Sequence, residues 1–167
     1  NTALTRTYNR FNLKERDVIV QMYRHITNYH LDRKFAMMNS DRPPGNVPYI
    51  LDLPAEPFNN DVAKILHVKD GLNNDRPLNE MNNCMAVFTP YPTTLNIPDP
   101  QEGRPLFIRY QALHPKLEFG VYDTEIELPL LLEDAFLTLV AGLVLSDMNT
   151  PESTTKAIEH YATYESV

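Results

Sequence analysis

The side chains able to do chemistry are few and scattered. Five histidines, His25, His30, His67, His114 and His160, are spread over the 167 residues, and none forms an H-x-x-x-H or H-x-x-E-H pattern. His25 and His30 stand five apart, on different faces of any helix, so no metal centre is expected. The single cysteine, Cys84, opens the apolar run 84–88 with no glycine-rich turn to present a nucleophile, and it reads as a buried strand cysteine. One cysteine also allows no internal disulfide. Glu125 and Glu127 share one face of an extended segment and could do acid–base work if one were desolvated. Just ahead of a helix N-terminus, though, negative charge is favoured for electrostatic reasons alone. The five glycines are never closer than seventeen residues, which leaves no phosphate-binding loop. The expectation is a protein with no catalytic, cofactor-binding or metal-binding residue, and not an enzyme.

Composition points toward assembly. Hydrophobic residues make up 43% of the chain, enough for a real core. The net charge of −7 argues against a general nucleic-acid binder held by phosphate contacts. That charge is unevenly placed: residues 1–42 hold eight Lys/Arg against four Asp/Glu, whereas 117–167 hold ten acids and only Lys156. A basic head and an acidic tail can pair within a subunit or between neighbours, or simply be solvated helix faces. For pairing between neighbours the candidates are Arg24 and Arg33 against Glu159 and Glu165. The segment nearest to a membrane span, Leu128 to Leu145, carries Glu133 and Asp134 and reads as a buried helix. No leader is recognised, and because the pattern breaks off at Val167 the natural chain is expected to continue.

The elements that would position these residues follow from periodicity. Residues 1–11 read as an aperiodic arm. A helix is expected from Asn12, with Glu15 three residues later, and Ile19, Met22, Tyr23, Ile26 and Tyr29 form its stripe to about Met38. Twelve of the 14 prolines fall between Pro43 and Pro115, which excludes long helices there. Strands are expected at 62–68, 84–88 and 106–112, the first two joined by a turn opening at Asp70 and Gly71. Pro129 opens an apolar helix to Met148, with Phe136, Leu139, Val140 and Leu143 in the core and neighbours on all sides. Thr150 caps a last helix, with Pro151 at its first position and Ala157, Ile158, Tyr161 and Tyr164 as its stripe. The expected fold is α+β: an N-terminal helical part (12–42), a β-rich insertion (43–118) and a C-terminal helical part (119–167), together one domain. A small bundle of the N-terminal helix and two C-terminal helices carries the proline-rich sheet as an excursion.

Residues 107–117, then Ile126 to Pro129, the apolar helix ending at Ser146 and Asp147, and the tyrosine-bearing helix after Thr150 together resemble tailed-bacteriophage head–tail adaptor proteins of the tail tubular protein A kind. The resemblance implies a virion structural protein, assembled in the host cytoplasm, forming a ring at the head–tail junction. Such rings are typically dodecameric, seated under the portal protein and joined below to the tail tube or nozzle. DNA passes through the centre without specific binding, and no membrane is involved. The stiff, partly apolar segment Thr89, Pro90, Tyr91 and Pro92 is the candidate contact with the tail or a neighbouring subunit, and 96–104 reads as a dispensable tip. Other classes fit less well: a neck or head-completion protein, a peptide- or glycan-binding module, or a small hydrolase built on Cys84.

Overall fold

Between Lys14 and Leu113 the chain is cut into short strands by its prolines and held by β-branched pairs. The computed structural model describes residues 1–41, 43–121 and 123–167. Seven strands run through this stretch: β1 (Glu15–Gln21), β2 (Asn28–His30), β3 (Ile50–Leu51), β4 (Val62–Asp70), β5 (Phe88–Tyr91), β6 (Thr94–Asn96) and β7 (Pro105–Ala112). They form two antiparallel sheets, ordered β3-β1-β7-β4 and β2-β6-β5. Val18 and Val20 on β1 face inward and pair with Ile108 and Leu106 on β7, while Asp17 and Arg109 pair on the outer face. That period of two is what a half-buried strand requires. Val62, Ile65 and Val68 on β4 are buried at intervals of three because the ladder slips between 62 and 64 and again between 65 and 67. Pro90 lies in β5, at a sheet edge, and Pro105 opens β7, the positions where a missing N–H costs least.

The helix expected from Asn12 to about Met38 is overturned. That stretch holds β1, β2 and a short 3-10 turn at Arg33–Phe35. Ile19, Met22, Tyr23, Ile26 and Tyr29 do recur at helical spacing, but Val18, Val20 and Met22 alternate, and pairing with β7 decides in favour of the alternation. Position 42, the end of the expected helical part, lies outside the described residues. The expected arm is instead α1 (Thr2–Arg10), with Ala3, Leu4, Thr7 and Tyr8 buried along one face. The strand expected at 84–88 begins only at Phe88. Cys84 is exposed in a turn, where Asn83 Oδ1 accepts the Met85 N–H at 2.9 Å. The turn at Asp70 does not make a hairpin with β5, which belongs to the other sheet.

Residues 1–13 and 114–167 form one compact unit and residues 14–113 a second. The first holds α1, α2 (Glu133–Asp147) and α3 (Pro151–Glu165), so the chain is a mixed helix-and-sheet protein compatible with an α+β class. Thr150 starts α3 as expected: its hydroxyl accepts the Ser153 N–H at 3.2 Å, and Ser153 Oγ accepts the Thr150 N–H at 3.0 Å. Among the described residues no helix is long and apolar enough to cross a membrane.

Candidate functional site

The helical unit presents the feature that most needs explaining. On α2, Ala135, Leu139 and Gly142 are buried, and Phe136, Val140 and Leu143 are partly covered in a cluster with Ala3, Phe11, Tyr161 and Tyr164. Of the residues expected in the core, Leu139 is buried, and Phe136, Val140 and Leu143 are only partly so. The expectation that α2 is surrounded does not hold. Leu137, Val144 and Met148 are 61%, 57% and 61% exposed. With Ala141 they stand at i, i+4, i+7 and i+11, a second apolar stripe on the side away from the first. Leu130 and Leu131, in the 3-10 turn that leads into the helix, are 80% and 91% exposed. Ile158 on α3, expected inside, is exposed too. Isolated exposed apolar side chains are ordinary, but Leu137, Val144 and Met148 fall in one row along the helix.

The hairpin that displays this row is closely packed. Gly142 lets α3 approach so closely that a Cβ there would lie 2.9 Å from Cε1 of Tyr161. Asn149 takes the left-handed conformation (φ 50°) that ends α2 and turns the chain into the Thr150 cap. At the far end Arg10 closes the unit. Its guanidinium donates to the carbonyls of Tyr164 at 3.0 Å and Glu165 at 2.8 Å, and to the Glu165 carboxylate at 3.0 Å. It also lies over the Tyr164 ring at 4.9 Å. A cation on the last carbonyls of α3 meets the negative end of its dipole.

The residues expected at interfaces fall as follows. Glu165 is held by Arg10 of its own chain, so head and tail charges pair here within the subunit. Glu159 is exposed on α3, and Arg24 and Arg33 are exposed in the sheet unit. Thr89, Pro90 and Tyr91 lie in β5 and Pro92 in the turn to β6, with Tyr91 68% exposed. The segment 96–104 is no dispensable tip. Ile97 is wholly buried, and Met22 and Arg104 are tied by a 2.9 Å backbone hydrogen bond. Deleting it would open the core of the sheet unit. Nothing in the sequence distinguished the outer stripe of α2 from an inner one, since both are equally apolar.

One depression of about 460 Å3 is lined by Asp17, His67, Lys69, Asp75 and Arg109 among others. There Arg109 forks onto Asp17 at 2.8 and 3.0 Å, and that bond holds the Asp17 carboxyl below its usual range. Each group thereby occupies the other. Among the described residues no three His, Cys, Asp or Glu side chains are placed to hold a metal ion. No family model matches this sequence, and no curated protein is similar enough to count as a relative.

Proposed function

We propose that the chain is a structural subunit that works by self-assembly, of the head-to-tail adaptor kind. The observation that carries the assembly reading is the row of exposed Leu137, Val144 and Met148, with half-buried Ala141 between them, along α2 and its C-cap. Its spacing suits a helix of another subunit, because such rows interlock side by side. The resemblance of residues 107–167 to phage adaptors supplies the kind: a ring, typically of twelve, seated under a portal protein and receiving the tail tube or nozzle in a virion. Three helices flanking an inserted sheet unit agree with a bundle that carries an excursion. The excess of acidic residues suits a conduit that passes DNA without holding it. In this reading Arg24 and Arg33 meet Glu159 of the next subunit, Glu165 being engaged at home, and the β5–β6 turn with Tyr91 reaches a neighbour or the tail. The chain performs no catalysis and holds no cofactor.

Sedimentation and negative-stain imaging of the purified chain test this. Rings or closed oligomers are expected for the native sequence, and folded monomers for Leu137→Asp with Val144→Asp. A native chain that stays monomeric at every concentration sinks the assembly reading. Oligomers unaffected by the two aspartates sink the part given to α2.

A further inference from the structure

One buried arginine of the sheet unit makes no side-chain hydrogen bond or close ion pair among the described residues, although the Asp70 carboxylate lies within its electrostatic reach. Arg76 is only 9% exposed, and its Nε is buried with no hydrogen-bond partner among the described residues. None of the ion pairs among the described residues involves it. Asp70 offsets one positive charge without a direct bond to it, and the fork geometry of the guanidinium suits a further carboxylate. Arg76 lines a pocket of about 300 Å3 whose apolar walls are Met22, Leu72, Met85 and Pro105, with the exposed Arg104 as a second cation. Leu72 and Met85 are 78% and 45% exposed, so the pocket has a greasy rim. Asp70 also lines it, but its carboxylate already accepts the Leu72 and Asn74 N–H groups, both at 2.9 Å, and the Asn74 side-chain amide at 3.2 Å. The site therefore asks for a carboxylate beside a large apolar group.

The chain itself carries such a group. Glu118 and Phe119 are exposed, Phe119 completely so at 104%. They sit on a tight turn closed by the Val121 N–H on the Glu118 carbonyl at 3.3 Å, with Gly120 at φ 86° as that turn requires. Its base is clamped where the Asn1 amide accepts the Leu117 N–H at 2.7 Å and donates to the Leu117 carbonyl at 3.1 Å. A tip already held in shape loses little freedom on docking.

We infer that the Arg76–Arg104 pocket is a binding site for the Glu118–Phe119 turn of a second copy of this chain, with the carboxylate on the arginines and the phenylalanine on the methionine-lined rim. This deepens the assembly reading and rests on it, adding a contact separate from the α2 row.

The test uses the full chain and a synthetic peptide of residues 115–123. Self-association measured by sedimentation should weaken at least about tenfold in Arg76→Met and in Phe119→Ser, as loss of a charge-assisted bond or an anchoring ring implies. The thermal midpoint of the Arg76→Met subunit should change little, because Asp70, the acid within reach of Arg76, keeps its hydrogen bonds to Leu72 and Asn74. Loss of a merely structural arginine would lower it clearly. The double variant Arg104→Gln with Glu118→Gln should be no worse than either single change if the two groups meet. The peptide should bind the native chain and lose binding in Arg76→Met and when its own Glu118 is replaced by Gln. Native assembly untouched by all these changes overturns the pocket contact while leaving the α2 row standing. A monomeric native chain that still binds the peptide through Arg76 supports the pocket while the assembly reading falls. Binding of inorganic phosphate with no binding of the peptide overturns the proposal.

Discussion

Two side chains show how single residues hold the units together, and each carries a prediction. Tyr49 is buried in the sheet unit, where its hydroxyl accepts the His30 N–H at 2.8 Å and donates to the His30 carbonyl at 3.0 Å. Tyr49→Phe removes the acceptor of the His30 N–H, while the His30 carbonyl keeps the Asp32 N–H at 2.9 Å, and should cost about 1–3 kcal/mol in denaturant unfolding. Burial also raises the Tyr49 and Tyr110 hydroxyls well above the usual 10.0. A raised folded value gives stability that is complete below the unfolded pKa and lost as pH rises past it. Stability should thus hold to about pH 10 and fall beyond it, and denaturant titrations between pH 8 and 11.5 check this; a flat profile across that range refutes it. Arg10 acts at the end of α3, and two of its three hydrogen bonds go to backbone carbonyls. Arg10→Ala should therefore lower stability by about 1–2 kcal/mol. Glu165→Gln, which removes only the exposed carboxylate, should cost less than about 0.5 kcal/mol, and that little should vanish in high salt. Equal losses in thermal unfolding would mean the ion pair dominates instead. Thr150 was legible as a cap because its partner Ser153 is three residues away, whereas Arg10 was not, its partner lying 155 residues on.

At the scale of elements, α2 shows what periodicity reveals and what it leaves open. A largely apolar run after a proline identifies a helix, and the structure has one at Glu133–Asp147. Periodicity cannot say which apolar stripe is covered inside the subunit, because Leu137 and Leu139 are chemically alike. Substitution separates them. Leu139→Ala, at 1% exposure, should cost about 2–5 kcal/mol. Leu137→Ala, at 61%, should change the stability of the subunit by less than about 0.5 kcal/mol and act on association instead. Phe136 is only partly covered, so its truncation belongs between the two. Thermal melts at a concentration too low for association decide this, and a large loss at Leu137 would show that the stripe is already buried. The failure at β1 has the same root from the other side. Residues 18–22 fit both a period of 3.6 and a period of two, and the partner β7, some ninety residues away, selects between them. Helical spacing over a stretch with Val18, Ile19 and Val20 in sequence is weak, since β-branched runs favour strands.

For the molecule as a whole, the decisive fact is that the sheet unit is inserted into the helical one. Residues 14–113 enter and leave through neighbouring strands: Glu15 pairs with Gln111, and the Ala112 N–H donates to the Lys14 carbonyl at 2.8 Å. A unit whose ends are zipped together does not need its host to close it, because the chain entropy of joining those ends is met by its own ladder. The adjoining Leu113 N–H donates to the Asp61 carbonyl at 2.7 Å, and the Asp61 side chain holds Arg16 at 3.2 Å and the Tyr110 hydroxyl at 2.9 Å. All of these contacts lie inside 14–113. The sequence hid this boundary, since the arm-like look of 1–11 and the false helix after Asn12 placed the division near residue 43, where proline begins. The fragment 14–113 should therefore fold alone, with dispersed amide resonances and a single cooperative denaturant transition whose midpoint matches one of two in the intact chain. Arg16→Ala with Asp61→Ala should lower that midpoint in fragment and intact chain alike, since neither residue relies on the helices. A fragment that is unfolded in buffer, or one that folds only when the helical unit is added, would show that the sheet depends on its host.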